Sequence, residues 1–522
     1  MNSAENFITS IKEGYAFKGD SLVLGTAIYN KEAQHNLLVK VPLSTINRHG
    51  LIAGATGTGK TKTVQVFAEA LSEKSIPVLL MDIKGDLSGI AAEGATNPKI
   101  EERHSKIGLP FAAKKFPVEF FTLSDEKGTR LRATVSEFGP ILISKILELN
   151  DTQSGLMAVL FKYCDDNNLP LLDLKDLKKV LQFAAAEGKQ EIAKDYGSIS
   201  PASIGTILRK VVELEQQGAE KFFGEKSFDV EDLLRIDENG NGIISVLRLI
   251  DLQDRPKLFS TFMLSLLAEI YSTFPELGDK AEPKLVIVID EAHLIFKEAS
   301  KALLDQIETI IKLIRSKGVG IYFCTQNPTD VPSAVLSQLG LKIQHALRAF
   351  TAQDRKMIKL TSENYPISEF YKTDELLTSL GIGEAAISTL NEKGVPTPLA
   401  ATLLCAPRSR MDILTPEELD TRITTSPLYR KYSDAIDRES AYEILNKKLE
   451  TARDFELKVP EETKYQFPQP SQRKTTTTRR KTEKSTIDKV INSPLSKQVG
   501  RTLVREITRG LLGVLGMGGR RR

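Results

Sequence analysis

Residues 49–71 read HGLIAGATGTGKTKTVQVFAEAL. An apolar run, Leu51-Ile52-Ala53, breaks into Gly54-Ala55-Thr56-Gly57-Thr58-Gly59-Lys60-Thr61, and a helical pattern opens at once behind it from Lys62. The octet fits G-x-x-x-x-G-K-[ST], the P-loop signature, and its flanks are the strand and helix that the motif requires. Its glycines let the backbone wind tightly, so that its N–H groups and the helix N-terminus face phosphate oxygens. Lys60 is expected to reach the β- and γ-phosphates, and the Thr61 hydroxyl to ligate Mg²⁺. Gly54, Ala55, Thr56, Gly57, Thr58, Gly59, Lys60, Thr61 and Lys62 are the expected ATP-binding residues.

A second carboxylate is needed to hold magnesium, and KLVIVIDEAH (284–293) supplies one at a strand end. Asp290 is the expected Mg²⁺-holding group, through water, and Glu291 the expected general base for an attacking water. The sequence has no Asn-Lys-x-Asp guanine-reading motif, so ATP is the expected nucleotide. The strand GIYFCTQ (320–326) ends in Gln326, which is expected between the P-loop and Asp290 strands, where an amide senses phosphate or orients water.

Short β-branched runs alternate with longer helical patterns, which predicts an α/β fold with a mainly parallel, RecA-like P-loop sheet. The expected strands are 51–54, 77–83, 117–123, 242–249, 284–290, 320–326 and 342–349, several of them apolar on both faces. The expected parts are a β-rich lead-in (1–48), the first part of the core (49–134), a helical insertion (135–218), the second part of the core (219–410), a helical region (411–464) and a basic tail (465–522). Within the second part, 383–404 reads as two strands around an Asn391–Gly394 turn.

The apolar fraction of 41% and charged fraction of 27% are those of a globular chain. Cys164, Cys324 and Cys405 are far apart and give neither a disulfide framework nor metal-ligand spacing, so a cytoplasmic setting is expected. The N-terminal stretch lacks signal-peptide patterning. The net charge is only +3, yet Gln466–Arg522 carries 14 Lys and Arg against Glu483, Asp488 and Glu506. A basic tail on an acidic body suggests a polyanionic partner, either nucleic acid or an anionic membrane surface. Its last segment places Leu495, Val499, Leu503, Ile507, Leu511 and Leu515 near one face, with Arg501, Arg505 and Arg509 on another. Such a helix docks on a partner or lies peripherally on a membrane; no stretch is long enough for integral insertion.

Taken together, GATGTGKT, DIKGDLSG (82–89), VIVIDEAHLIF (286–296), TQNPTDVP (325–332) and IQHALRAFTAQDRK (343–356) resemble the HerA/FtsK superfamily of P-loop motors, and within it the bacterial HerA-like helicases of the YjgR type. The resemblance implies a homo-hexameric ring that hydrolyses ATP between subunits and moves DNA, or in some members protein, through its channel. It also implies an arginine given to the neighbouring subunit's site. Arg315 is the first candidate, Arg348 the second and Arg48 the third. In DIKGDLSG, the resemblance leaves Asp82, Lys84 and Asp86 open between the magnesium shell, the subunit boundary and a turn built on Gly85. His293 and His345 read as core or boundary histidines. About 50 residues precede the P-loop strand, too few for the β-barrel of the archaeal helicases, so the resemblance leaves an accessory nuclease partner open. The alternative reading is an ATPase of the same fold that moves or remodels protein, anchored at a membrane by the basic helix.

Overall fold

The computed structural model describes residues 3–458, apart from 254, 279–281, 298–300, 435 and 437. The basic tail and terminal helix expected over 465–522 lie outside the described residues. Twelve strands form one sheet: β1 (Ser21–Tyr29), β2 (Glu32–Pro42), β3 (Gly50–Ala53), β4 (Val78–Asp82), β5 (Val118–Thr122), β6 (Thr129–Arg130), β7 (Ile244–Arg248), β8 (Leu285–Ile289), β9 (Val319–Thr325), β10 (Leu341–Gln344), β11 (Glu384–Ser388) and β12 (Ala400–Leu404). Their order is β2-β1-β12-β11-β10-β3-β9-β8-β4-β7-β5-β6. From β10 through to β6 every pairing is parallel, and from β2 to β10 every pairing is antiparallel.

The apolar runs become strands because both faces of the sheet are covered. Along β8, Leu285, Ile287 and Ile289 point into one buried cluster, and Val286 and Val288 into the other. The helices between β6 and β7 (Val135–Ile146, Asp151–Asp166, Leu174–Ala185, Lys189–Tyr196 and Pro201–Gln216) pack on the first face with Pro256–Thr273. The opposite face is closed by the P-loop helix Lys60–Ser72 through Val64, Phe67, Ala68 and Leu71, and by Ser3–Gly14 through Phe7 and Ile11. A strand with no solvent face is an almost continuous hydrophobic run, which is how these strands read in sequence.

All seven expected strands exist, most shortened by a residue or two at their ends. The seventh is trimmed most: β10 stops at Gln344, and the chain leaves the sheet after the His345 N–H donates to the Ala53 carbonyl at 2.7 Å. The 383–404 pair is β11 and β12, joined through a turn in which the Asn391 side chain accepts from the Lys393 and Val395 N–H groups, both at 3.0 Å. The lead-in is an edge of the same sheet: β1 pairs with β2 on one side and with β12 on the other.

What positions the site is a crossover. From β3 the chain runs through the P-loop helix to β4, skipping two places, which β8 and β9 later fill. Because this run is parallel, Ala53, Thr325, Ile289 and Asp82 all end at one edge of the sheet, the place where ligands bind in open α/β sheets. Among the described residues, no helix is long and apolar enough to cross a membrane.

Ile287 is central in β8 and fully buried. Replacing Ile287 by Ala is expected to destabilise the fold by about 2–5 kcal/mol through lost transfer energy and a residual cavity. In chemical denaturation the midpoint should fall with the slope unchanged.

Candidate functional site

The glycine-rich loop leaves β3 hydrogen-bonded to both neighbouring strand ends. The Gly54 N–H donates to the Thr325 carbonyl (3.2 Å) and the Ala55 N–H to the Ala346 carbonyl (2.9 Å). Gly54 and Gly59 have φ of +151° and +108°, backbone conformations that side chains disfavour. A Cβ on Gly54 would also lie 2.5 Å from the Cβ of His345. The loop ends at Lys60, whose ammonium is buried and donates to the carbonyls of Gly54 (2.6 Å) and Ala55 (3.1 Å). Burial pulls its pKa down, countered by Asp290 and Glu291. Among the described residues, this buried cation has its hydrogen bonds to the carbonyls of its own loop.

The two acidic residues that follow β8 are buried. Asp290 follows the last residue of β8, and burial pushes its carboxyl pKa up, with Lys84 opposing. It also bonds the Cys324 thiol, which burial holds protonated. Glu291 is buried too and sits at φ +45°, a left-handed conformation that costs a non-glycine residue on the order of 1 kcal/mol or more. Its carboxylate forms an ion pair with Lys84, and its Oε2 lies 3.1 Å from Nδ1 of His293.

The DIKGDLSG segment closes the site from β4. The Asp82 carboxylate accepts from the N–H groups of Gly85 (2.7 Å), Asp86 (3.3 Å) and Leu87 (3.2 Å), which folds the loop back on its strand end. Burial, and next the charge of Asp86, push the Asp82 pKa up to about 6. The three candidates left open in the sequence thus do different things. Asp82 builds the turn, Lys84 reaches Glu291, and Asp86 accepts from the Thr61 hydroxyl at 3.1 Å.

Magnesium takes hard oxygen ligands and relies on substrate phosphates and water for the rest of its shell. The residues fit that pattern: the Thr61 hydroxyl and the carboxyls of Asp86 and Asp290 are oxygen donors, and the buried Asp86 Oδ1 has no hydrogen-bond partner. Among the described residues, no cluster of three or more His, Cys, Asp or Glu is poised to hold a metal without such help.

Other expected site residues fall at varying distances from this edge. Gln326 follows directly on β9, one residue beyond the Thr325 carbonyl that anchors Gly54. The Lys62 ammonium turns away from the loop to the Met411 carbonyl and Gln65. Arg348 is exposed, four residues beyond the end of β10; its Nη1 donates to the Thr378 carbonyl (3.4 Å), while Asp354 caps the helix Ala352–Ser362. Arg315 is exposed before the start of β9, at the opposite end of that strand from the P-loop, near His49. Arg48 precedes β3 at that same far end.

Two further residues brace the loop: Arg103, which carried no signal in sequence, and His345, which was read as a core or boundary histidine. Arg103 donates to the carbonyls of Ile382, Gly383 and Leu404, and the Gly383 N–H donates to the Thr58 carbonyl (3.0 Å), so a distant loop braces the P-loop. His345 is fully buried, with Nε2 2.9 Å from the Thr63 hydroxyl on the P-loop helix.

The chain belongs to the helicase HerA-like C-terminal family, whose model matches residues 27–522. It is similar to the DNA double-strand break repair helicase HerA of Sulfurisphaera tokodaii, at 27% identity over 70% of this chain and 66% of that protein. The protein of the same name from Saccharolobus solfataricus is 25% identical over 69% of this chain and 67% of that protein. The chain therefore spans about two-thirds of the length of these relatives. Among solved structures it resembles the bacterial conjugative coupling protein TrwBdeltaN70, with a TM-score of 0.50 and 13% identity over 78% of this chain and 94% of that one, a likeness of fold.

Burial pushes the His345 pKa down to about 4, against an ordinary value of 6.5. With the folded value depressed, the stability this neutral ring contributes is complete above pH 6.5 and is lost as pH falls towards 4. The stability difference between wild type and His345→Gln should shrink by about 1.4 kcal/mol per pH unit across that window. A pH-independent difference in denaturation experiments would mean that the ring is not held neutral.

Proposed function

We propose that this chain is an ATP-hydrolysing, ring-forming motor that acts on DNA. The observation that carries the reading is the buried Asp290-Glu291 pair at a strand end, separated only by β9 from the strand that launches the P-loop. In this reading Gly54 through Thr61 cradle the phosphates, with Lys62 supporting the start of the helix, and Lys60 exchanges its carbonyl partners for phosphate oxygens. Magnesium, held by Thr61 and through water by Asp290, offsets the charge of the phosphates when bound. Glu291 takes the proton of the attacking water as general base, and Gln326 orients that water or senses the γ-phosphate. A nucleotide switch without turnover has no use for such a base.

An arginine from a neighbouring copy in a homo-hexamer would complete the charge compensation. Arg315, exposed and far from its own P-loop, is available only to a neighbour; Arg348, exposed beyond the end of β10, is the other candidate. DNA as the track is supported by family membership and by the names of the similar helicases. The net +11 of Gln466–Arg522 favours an anionic partner, and a membrane surface meets that description as well as DNA does.

Turnover by the purified chain, measured without nucleic acid, with single-stranded DNA and with double-stranded DNA, tests this. Turnover stimulated by DNA and reduced about 10²–10⁴-fold in Glu291→Gln is expected. Turnover that depends on Glu291 but ignores DNA would move the reading to a protein or membrane substrate. Hydrolysis by Glu291→Gln at the wild-type rate would remove Glu291 from the base role.

A further inference from the structure

The loop 82–89 engages both of the groups that the hydrolytic reading requires. Asp86 accepts the Thr61 hydroxyl, and Lys84 pairs with Glu291, while the Asp82 carboxylate holds the loop's backbone in place through three N–H groups. Glu291 is almost fully enclosed, with its side chain 7% exposed, whereas that of Lys84 is 36% exposed. The lysine is therefore the partner with room to move. Its charge also bears on Lys60, whose pKa it depresses, so two ammonium groups converge on the phosphate end of the site. Asp290 and Glu291 offset both cations at rest, and a polyphosphate would add further negative charge where the two ammonium groups meet.

Resting on the hydrolytic reading above, we propose that Lys84 reads the γ-phosphate. It pairs with Glu291 when that phosphate is absent and transfers to it when ATP binds, which frees the carboxylate to act on water. The choice of phosphate follows from the neighbour. A base that activates the attacking water stands beside the γ-phosphate, so an ammonium that touches the base stands there too. ADP ends short of that position and leaves the pair intact. Lys84 thereby couples release of the base to the presence of a nucleotide that can be hydrolysed.

The test is the affinity of the full chain for ADP and for the non-hydrolysable analogue AMP-PNP, each with Mg²⁺, by titration calorimetry. Lys84→Met is expected to weaken AMP-PNP about tenfold or more, the loss of a charge-assisted contact, and ADP less than about twofold. Lys84→Arg should keep most of the preference. Glu291→Gln, which loosens the resting pair, should tighten AMP-PNP in the presence of Lys84 but not in the double variant with Lys84→Met. Equal changes for both nucleotides, or no change for either, would overturn the proposal. Because the affinity ratio needs no turnover, it decides the role of Lys84 even if Glu291 fails as the base.

Discussion

Parallel register is the constraint on which the remaining structure depends. Ala53 lies beside Thr325 and Ile289 beside Phe323, so the P-loop, Gln326 and the Asp290-Glu291 pair leave the sheet at one edge. Slipping a strand by one residue would exchange its two faces and drive side chains of one buried cluster into the other. Since both clusters are closely packed, that register is strongly specified. The antiparallel half of the sheet contributes from behind: β11 carries Gly383 to the Thr58 carbonyl, and Arg103 clamps that corner.

The electrostatics follow from burial. Asp82, Asp290, Glu291 and Lys60 are buried where charge is poorly solvated, and Lys84 reaches Glu291 from a more exposed position. Uncompensated buried charges are costly, so each finds a local partner: Lys60 takes its own loop carbonyls, Lys84 takes Glu291, and Asp82 takes three N–H groups. These partners are weak substitutes for a polyphosphate with a divalent cation. In the proposed function that difference would drive nucleotide binding, and the positive φ at Glu291 is backbone strain held at the same edge.

Much of this was legible in sequence, for definite reasons. The α/β class and the seven strands followed from apolar runs that both-face burial requires. The P-loop was readable because its glycines answer to backbone geometry, and Asp290-Glu291 because a strand end projects its next residues at the sheet edge. Long-range contacts were not legible. Nothing in the helix Pro98–Ile107 announces that Arg103 braces Gly383, and DIKGDLSG named its residues without saying which neighbour each would meet. The strands β1 and β2 were read only as a β-rich stretch: β1 is buried along most of its length, whereas the edge strand β2 is exposed or half-buried over its first part and its pattern is mixed.

In the proposed function, the edge formed by β3, β9 and β8 holds a nucleotide through the buried Lys60 ammonium. The most direct measurement is calorimetric binding of Mg²⁺-ATP to wild type and to Lys60→Ala, with folding of both checked by circular dichroism. Saturable one-site binding per chain by wild type and a loss of at least about tenfold in affinity in the variant are expected. Equal affinity in two folded proteins would contradict it and place the nucleotide, if any, elsewhere.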